Sequence, residues 1–261
     1  MCPQRRSQST AGASGSKSDV FLGLDLAWKV DGNHSAVAVL TGDEHDVQLK
    51  AVSEGPHSLI DVVKFIKAHS GSTTVLAVDA SLIVKNETGQ RRCETLIGKE
   101  FGRYHASCHT TNLTRPFAQT GERLIEALKP HGFQHDFDLE SAKRRSGRWL
   151  FETYPHPSMV RLFERDRIIA YKKGAVEEKR AGLRILQGHL KGLEDFRGTA
   201  NLGELLDLDV ATLKGRALKQ YEDKLDALFC AYLAWHCWKW GQEKNEMYGS
   251  MEEGYIVVAK R

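Results

Sequence analysis

Four acidic residues stand where a lone carboxylate is unfavourable. Asp25 closes the apolar run Phe21-Leu22-Gly23-Leu24, Asp79 closes Val75-Leu76-Ala77-Val78, and Glu152 closes Trp149-Leu150-Phe151. Asp226 falls inside the apolar helical spacing of Leu225, Leu228, Phe229 and Tyr232, and Asp223 shares its helix face three residues earlier. For any one of them, a turn or helix-capping role is the plain alternative. Taken together they pose a problem, because a buried carboxylate needs a hydrogen-bond donor, a basic partner or a cation. Converging acids repel one another, and some keep their protons near neutral pH unless a cation neutralises them. Mg²⁺ or Mn²⁺, hard and oxygen-seeking, suits such a set. Two such ions about 3.5–4 Å apart activate a water and stabilise the leaving oxygen in phosphodiester cleavage. The expectation is therefore a metal and catalytic role for Asp25, Asp79, Glu152 and Asp226.

The elements that must position these acids are legible as periodicity. Val20 to Trp28 is apolar almost throughout, as in a strand buried on both faces. Asp31-Gly32-Asn33 signals a turn, and Ser35 to Leu40 and Val47 to Val52 read as two further strands of an antiparallel meander. Ser58 to His69 has helical spacing, and Thr73 to Val78 is a short β-branched run. Strand, helix and strand in that order make a crossover, which favours parallel pairing. Neighbouring parallel strands lie about 4.8 Å apart, so Asp25 and Asp79 would point into one volume at the carboxyl edge of the sheet. Arg148 to Thr153 reads as another buried strand, ended by Tyr154-Pro155-His156-Pro157. Helices are expected over 94–101, 121–129, 159–165, 176–190 and 214–240, and an edge strand over 255–258.

Composition bounds the rest. The chain has 261 residues, 41% hydrophobic and 27% charged, enough for a substantial core. No apolar run reaches the ~20 residues of a membrane helix, and the first 18 residues lack the apolar stretch of a secretory signal. Residues 1–18 read as a disordered tail and 19–261 as a single α/β domain with a helical insertion. Five cysteines at scattered spacing fit a reduced, cytoplasmic protein without a disulfide framework. A net charge of +3 is compatible with nucleic acid without arguing for it.

The order of the motifs goes further. Gly23-Leu24-Asp25-Leu26-Ala27-Trp28, Val78-Asp79-Ala80-Ser81-Leu82, Asn86-Glu87-Thr88-Gly89-Gln90-Arg91-Arg92-Cys93-Glu94 and Phe101-Gly102-Arg103-Tyr104 follow one another, then Glu152-Thr153-Tyr154-Pro155-His156-Pro157, Tyr171-Lys172-Lys173-Gly174, Lys224-Leu225-Asp226-Ala227 and Glu253-Gly254-Tyr255. This series resembles the domain-of-unknown-function 429 family over about residues 20 to 258. The resemblance implies an RNase-H-like fold with a mixed five-stranded sheet in the order 3-2-1-4-5, and a nuclease activity. It also implies acidic roles for Asp25, Asp79, Glu152 and Asp226. Ser81 and Lys85 stand where many members carry proline, so the loop beside Asp79 is expected to be less rigid.

Around the acids, Arg91 and Arg92 follow a glycine loop and could clamp a phosphate, and Lys173 could contact a phosphate or a site carboxylate. Trp28, Trp149 and Tyr154 could stack on bases, with core packing as the alternative. His105/His109 and His131/His135 have zinc-compatible spacing but lack the intervening glutamate of a zinc-protease helix. The expected function is divalent-metal-dependent hydrolysis of RNA or DNA, with the oligomeric state left open. One alternative is a non-catalytic RNase-H-like nucleic-acid-binding or interaction module. Another is an actin-like or sugar-kinase-like phosphotransferase, against which the chain is short and lacks glycine-rich phosphate loops.

Overall fold

The apolar runs pair in one sheet. The structure, a computed structural model, describes residues 19–27, 34–56 and 58–261; the expected tail, the Asp31-Gly32-Asn33 turn and Trp28 lie outside the described residues. Strands β1 (Asp19–Asp25), β2 (Ala36–Gly42) and β3 (Val47–Val52) form the antiparallel meander. Helix α1 (Leu59–His69) crosses over to β4 (Thr74–Asp79), which runs parallel to β1. Helices α2 (Arg92–Phe101) and α3 (Thr120–Leu128) precede the two-residue strand β5 (Phe133–Gln134) and then β6 (Arg148–Glu152). The sheet order is β3-β2-β1-β4-β6-β5. This is the expected RNase-H-like order, with β6 as the fifth strand and the short β5 added outside it.

Strand alternation sends successive side chains to opposite faces, and both faces are covered. Val20, Leu22, Leu24, Leu76, Val78 and Leu150 pack under α1 and α3. Phe21, Val75, Ala77, Trp149 and Phe151 face the other way, toward α7 (Gly215–Trp240). That helix is buried nearly all round from Leu225 to Trp238, which is why a surface-helix pattern does not describe it. Helices α4 (Pro155–Leu162), α5 (Val176–Lys191) and α6 (Ala200–Leu206) complete this layer. Among the described residues no helix is long and apolar enough to cross a membrane.

Two expectations are corrected. Tyr154-Pro155-His156-Pro157 ends β6 but also starts α4, because proline in the first helical turn lacks only an N–H that would go unused there. The edge strand expected over 255–258 belongs to a separate hairpin of β7 (Asn245–Ser250) and β8 (Gly254–Ala259), which joins β6 by a bridge between Thr153 and Val257. Asn245 to Ser250 is too polar to announce itself as a strand.

Candidate metal centre

Asp25 and Asp79 end adjacent parallel strands and are paired in register. Their parity matches Phe21 and Gly23 on β1 and Val75 and Ala77 on β4, so both side chains leave the sheet on the α7 face. Gly23 explains how the helix comes close enough to meet them. A Cβ there would lie 2.0 Å from the Ala231 nitrogen and 2.1 Å from the Ala227 oxygen. With backbone against backbone at Gly23, the preceding turn of α7 sets Asp223 and Asp226 over the end of β1. One ligand oxygen each of Asp25, Asp223 and Asp226 lie within 4.8 Å of one another. Trans oxygens on Mg²⁺ at 2.0–2.1 Å are about 4.2 Å apart, so one ion fits with little adjustment.

Basic and hydroxyl groups hold the acids. The Tyr171 hydroxyl donates to Asp226 Oδ1 at 2.6 Å. Lys172 Nζ lies 2.9 Å from Asp226 Oδ2 but off the hydrogen-bonding line, leaving that fully buried oxygen without a hydrogen-bond partner. Lys219 Nζ donates to Asp223 Oδ1 and Glu222 Oε1, each at 2.7 Å. The compensation is incomplete. Burial, with Asp25 and Asp226 adding to it against Lys172, pushes the Asp79 carboxyl up to about 8. Burial and the charge of Asp25 push Asp223 up to about 8 against Lys219. Burial raises Asp25 as well, opposed by Lys172 and reinforced by Asp226. Burial disfavours charge on Lys172 too, yet Asp226, Tyr171, Asp25 and Asp79 outweigh it and hold the ammonium well above the ordinary lysine range. A buried set of carboxylates with too little positive charge, all hard oxygen donors, fits a Mg²⁺ or Mn²⁺ ion.

Asp25, Asp79 and Asp223 line a cavity of about 760 Å³, and Asp226 is fully buried behind them. Its wall adds Tyr154, His156, Lys172, Lys173, Arg216 and Lys219. His156 is buried, its Nδ1 has no hydrogen-bond partner, and burial with the nearby Lys172 lowers its pKa to about 4. It therefore presents a neutral imidazole at neutral pH.

The structure separates Glu152 from the other three acids. Glu152 sits level with Val78, one residue short of Asp79, so it leaves the sheet on the opposite face. There Arg91 grips it with both terminal nitrogens, at 2.9 Å and 2.6 Å, and the Leu82 N–H donates at 2.8 Å. The same guanidinium donates to Glu94 at 2.8 Å and to the Ile83 carbonyl at 3.1 Å. Arg91 is 3% exposed and fully engaged, so it is not free to clamp a phosphate. Arg92 is exposed, 3.4 Å from Glu253, and does not line the cavity. Lys173 does line it, exposed at its mouth, while its neighbour Lys172 makes the contact with Asp226. Sequence spacing could not choose between these two lysines. Asp223 was within reach of the sequence through its three-residue offset from Asp226, whereas Tyr171 and His156 carried no signal. Trp149 is core, Tyr154 reaches the cavity, and neither histidine pair is part of a converging ligand group among the described residues.

Residues 29–247 match the sequence model of the family described as "Protein of unknown function (DUF429)", and the chain belongs to that family. No curated protein and no solved structure matches the chain.

Proposed function

We propose that this DUF429 chain is a divalent-metal-dependent nuclease that hydrolyses phosphodiester bonds in RNA or DNA with Mg²⁺ or Mn²⁺. The observation that supports this reading is the meeting of Asp25, Asp223 and Asp226, with Asp79 beside Asp25, next to a cavity whose volume of about 760 Å³ has room for a nucleotide unit. Asp25, Asp223 and Asp226 would hold the ion, and Asp79 is placed to assist. The chemistry such an ion supplies is polarisation of a phosphoryl oxygen and activation of a water for in-line attack. The chain's own groups set the stage. Tyr171 fixes the rotamer of Asp226 and Lys219 that of Asp223. Lys173 and Arg216, at the cavity wall, supply positive charge for the phosphate backbone, and neutral His156 offers a hydrogen bond to the substrate. Four of the cysteines are free thiols, in keeping with a cytoplasmic setting.

The test is cleavage of labelled single-stranded RNA, single-stranded DNA and their hybrid, with EDTA, Mg²⁺ or Mn²⁺. Metal-dependent cleavage by the wild type, lost in Asp25→Asn and reduced in Asp79→Asn, is expected. Cleavage retained in both variants overturns the assignment. A second reading, a binding module without catalysis, is favoured by one observation: the Lys172 ammonium already sits against Asp226. Nucleic-acid binding without measurable Mn²⁺ binding would select it.

A further inference from the structure

Three of the four acids on the α7 face are accounted for by one ion, since oxygens of Asp25, Asp223 and Asp226 converge. Asp79 is left over. Because it is in register with Asp25 one strand away, it could bridge to a second ion shared with Asp25 and Asp226. Such a two-ion arrangement is common in phosphodiester hydrolysis. In this chain an ammonium against Asp226 already acts on Asp25 and Asp79 as well. Lys172 comes in from the segment between α4 and α5, two-thirds buried, with its Nζ 2.9 Å from Asp226 Oδ2. Tyr171, its neighbour, is fully buried and tied to the other oxygen of Asp226, which anchors the backbone that carries the lysine. Lys172 lines the same cavity as Asp25, Asp79 and Asp223, with Asp226 buried behind them. A divalent ion brought against Asp226 from that side would meet a like charge at contact distance.

We infer that Lys172 is a built-in cation that fills the second position, so that the site takes a single divalent ion on Asp25, Asp223 and Asp226. This rests on the metal-site reading above and specifies its stoichiometry. The lysine then acts as a fixed charge beside the ion, and removing it should open the second position rather than destroy the first.

Mn²⁺ binding to the full chain, counted by electron paramagnetic resonance and by calorimetry, tests this. The wild type should bind about one Mn²⁺ per chain, and Lys172→Met about two. The double variant Lys172→Met/Asp79→Asn should return to about one, since Asp79 belongs to the second position. A wild type that binds two ions overturns the inference and leaves the nuclease reading standing. A wild type that binds none overturns the reading on which it rests. Folded Lys172→Met that still binds one ion removes the role given to Lys172. Should that variant fail to fold, Lys172→Gln, which keeps a polar side chain without the charge, is counted in its place, with the same two outcomes.

Discussion

Two groups of buried acids lie back to back across the ends of β1, β4 and β6, and the chain treats them in opposite ways. On the α1 and α3 face, Glu152 and Glu94 share Arg91, and every carboxylate oxygen and guanidinium nitrogen has a partner: Leu82 and Thr111 donate backbone N–H groups, and the Ile83 carbonyl accepts a further guanidinium N–H. On the α7 face, Asp25, Asp79, Asp223 and Asp226 have two lysines and a tyrosine between them, and Lys219 also serves Glu222. One Asp226 oxygen has no hydrogen bond, and Asp79 and Asp223 hold their protons to about 8. Complete satisfaction marks a structural lock, here one that ties the loop after Asp79 to β6. Incomplete satisfaction marks capacity kept for a ligand. The distinction comes from the balance of donors and charges, since both faces set buried carboxylates against basic side chains.

Breaking the lock should cost the most stability. Arg91→Met leaves two buried carboxylates without their cation, a change of about 3–5 kcal/mol in unfolding free energy by denaturant titration. Adding Glu152→Leu should recover part of the loss, since the two residues are coupled. The open cluster should respond in the opposite sense. Asp25→Asn removes a like charge, so the metal-free melting temperature should hold or rise, while Mn²⁺ affinity falls by more than about 100-fold, beyond the effect expected of a supporting residue. If Arg91→Met instead abolished Mn²⁺ binding in a protein that still folds, the two faces would not be the separate devices described above.

The next effect is a dependence on pH. In the metal-free protein Asp79 and Asp223 bind protons up to about 8, against 3.8 for a free aspartate. Between those values the folded state holds more protons than the unfolded chain, so stability is greatest below the unfolded pKa and falls as pH rises toward 8. Melting temperature in EDTA should therefore drop by several degrees from about pH 5 to about pH 8. Saturating Mn²⁺ takes the place of those protons, and its stabilising effect should grow over the same interval. A flat or rising profile in EDTA would contradict the charge deficit. The Asp223→Asn variant should flatten the slope without touching the Arg91 lock.

Much of this was legible in the sequence, and what was not has identifiable causes. Apolar runs and one crossover give the strands and their parallel sense, while the sheet order that makes Asp25 and Asp79 neighbours is what the family resemblance implies. Gly23 carries a reason a reader of sequence can now apply: the helix bearing the next acids lies against its backbone. Glu152 ends an apolar run as Asp25 and Asp79 do, but strand-to-strand register decides the face it takes, and a shift of one residue reverses it. Its partner Arg91 is 61 residues away in the chain, at a distance where spacing carries no information. Lys172 was hidden for a simpler reason. A coil segment has no period from which to tell which of two adjacent lysines turns inward.

Arg91 and Arg92 bring the comparison down to a single peptide bond. Both follow the same glycine loop and carry the same charge, and chemistry alone gives them the same prospects. Arg91 is the hub of the lock, whereas Arg92 extends from the first turn of α2 into solvent with, among the described residues, only an exposed contact to Glu253. Exposed pairs of this kind contribute little, so Arg92→Ala should change unfolding free energy by no more than about 0.5 kcal/mol. Because Arg92 lies off the cavity wall, the Michaelis constant for an oligonucleotide should stay within about twofold of wild type, although the residue type suggested a phosphate contact. A larger rise in that constant, without loss of stability, would extend the substrate path across α2 and away from the cavity. An unchanged value leaves burial, and not proximity in sequence, as what separates the two arginines.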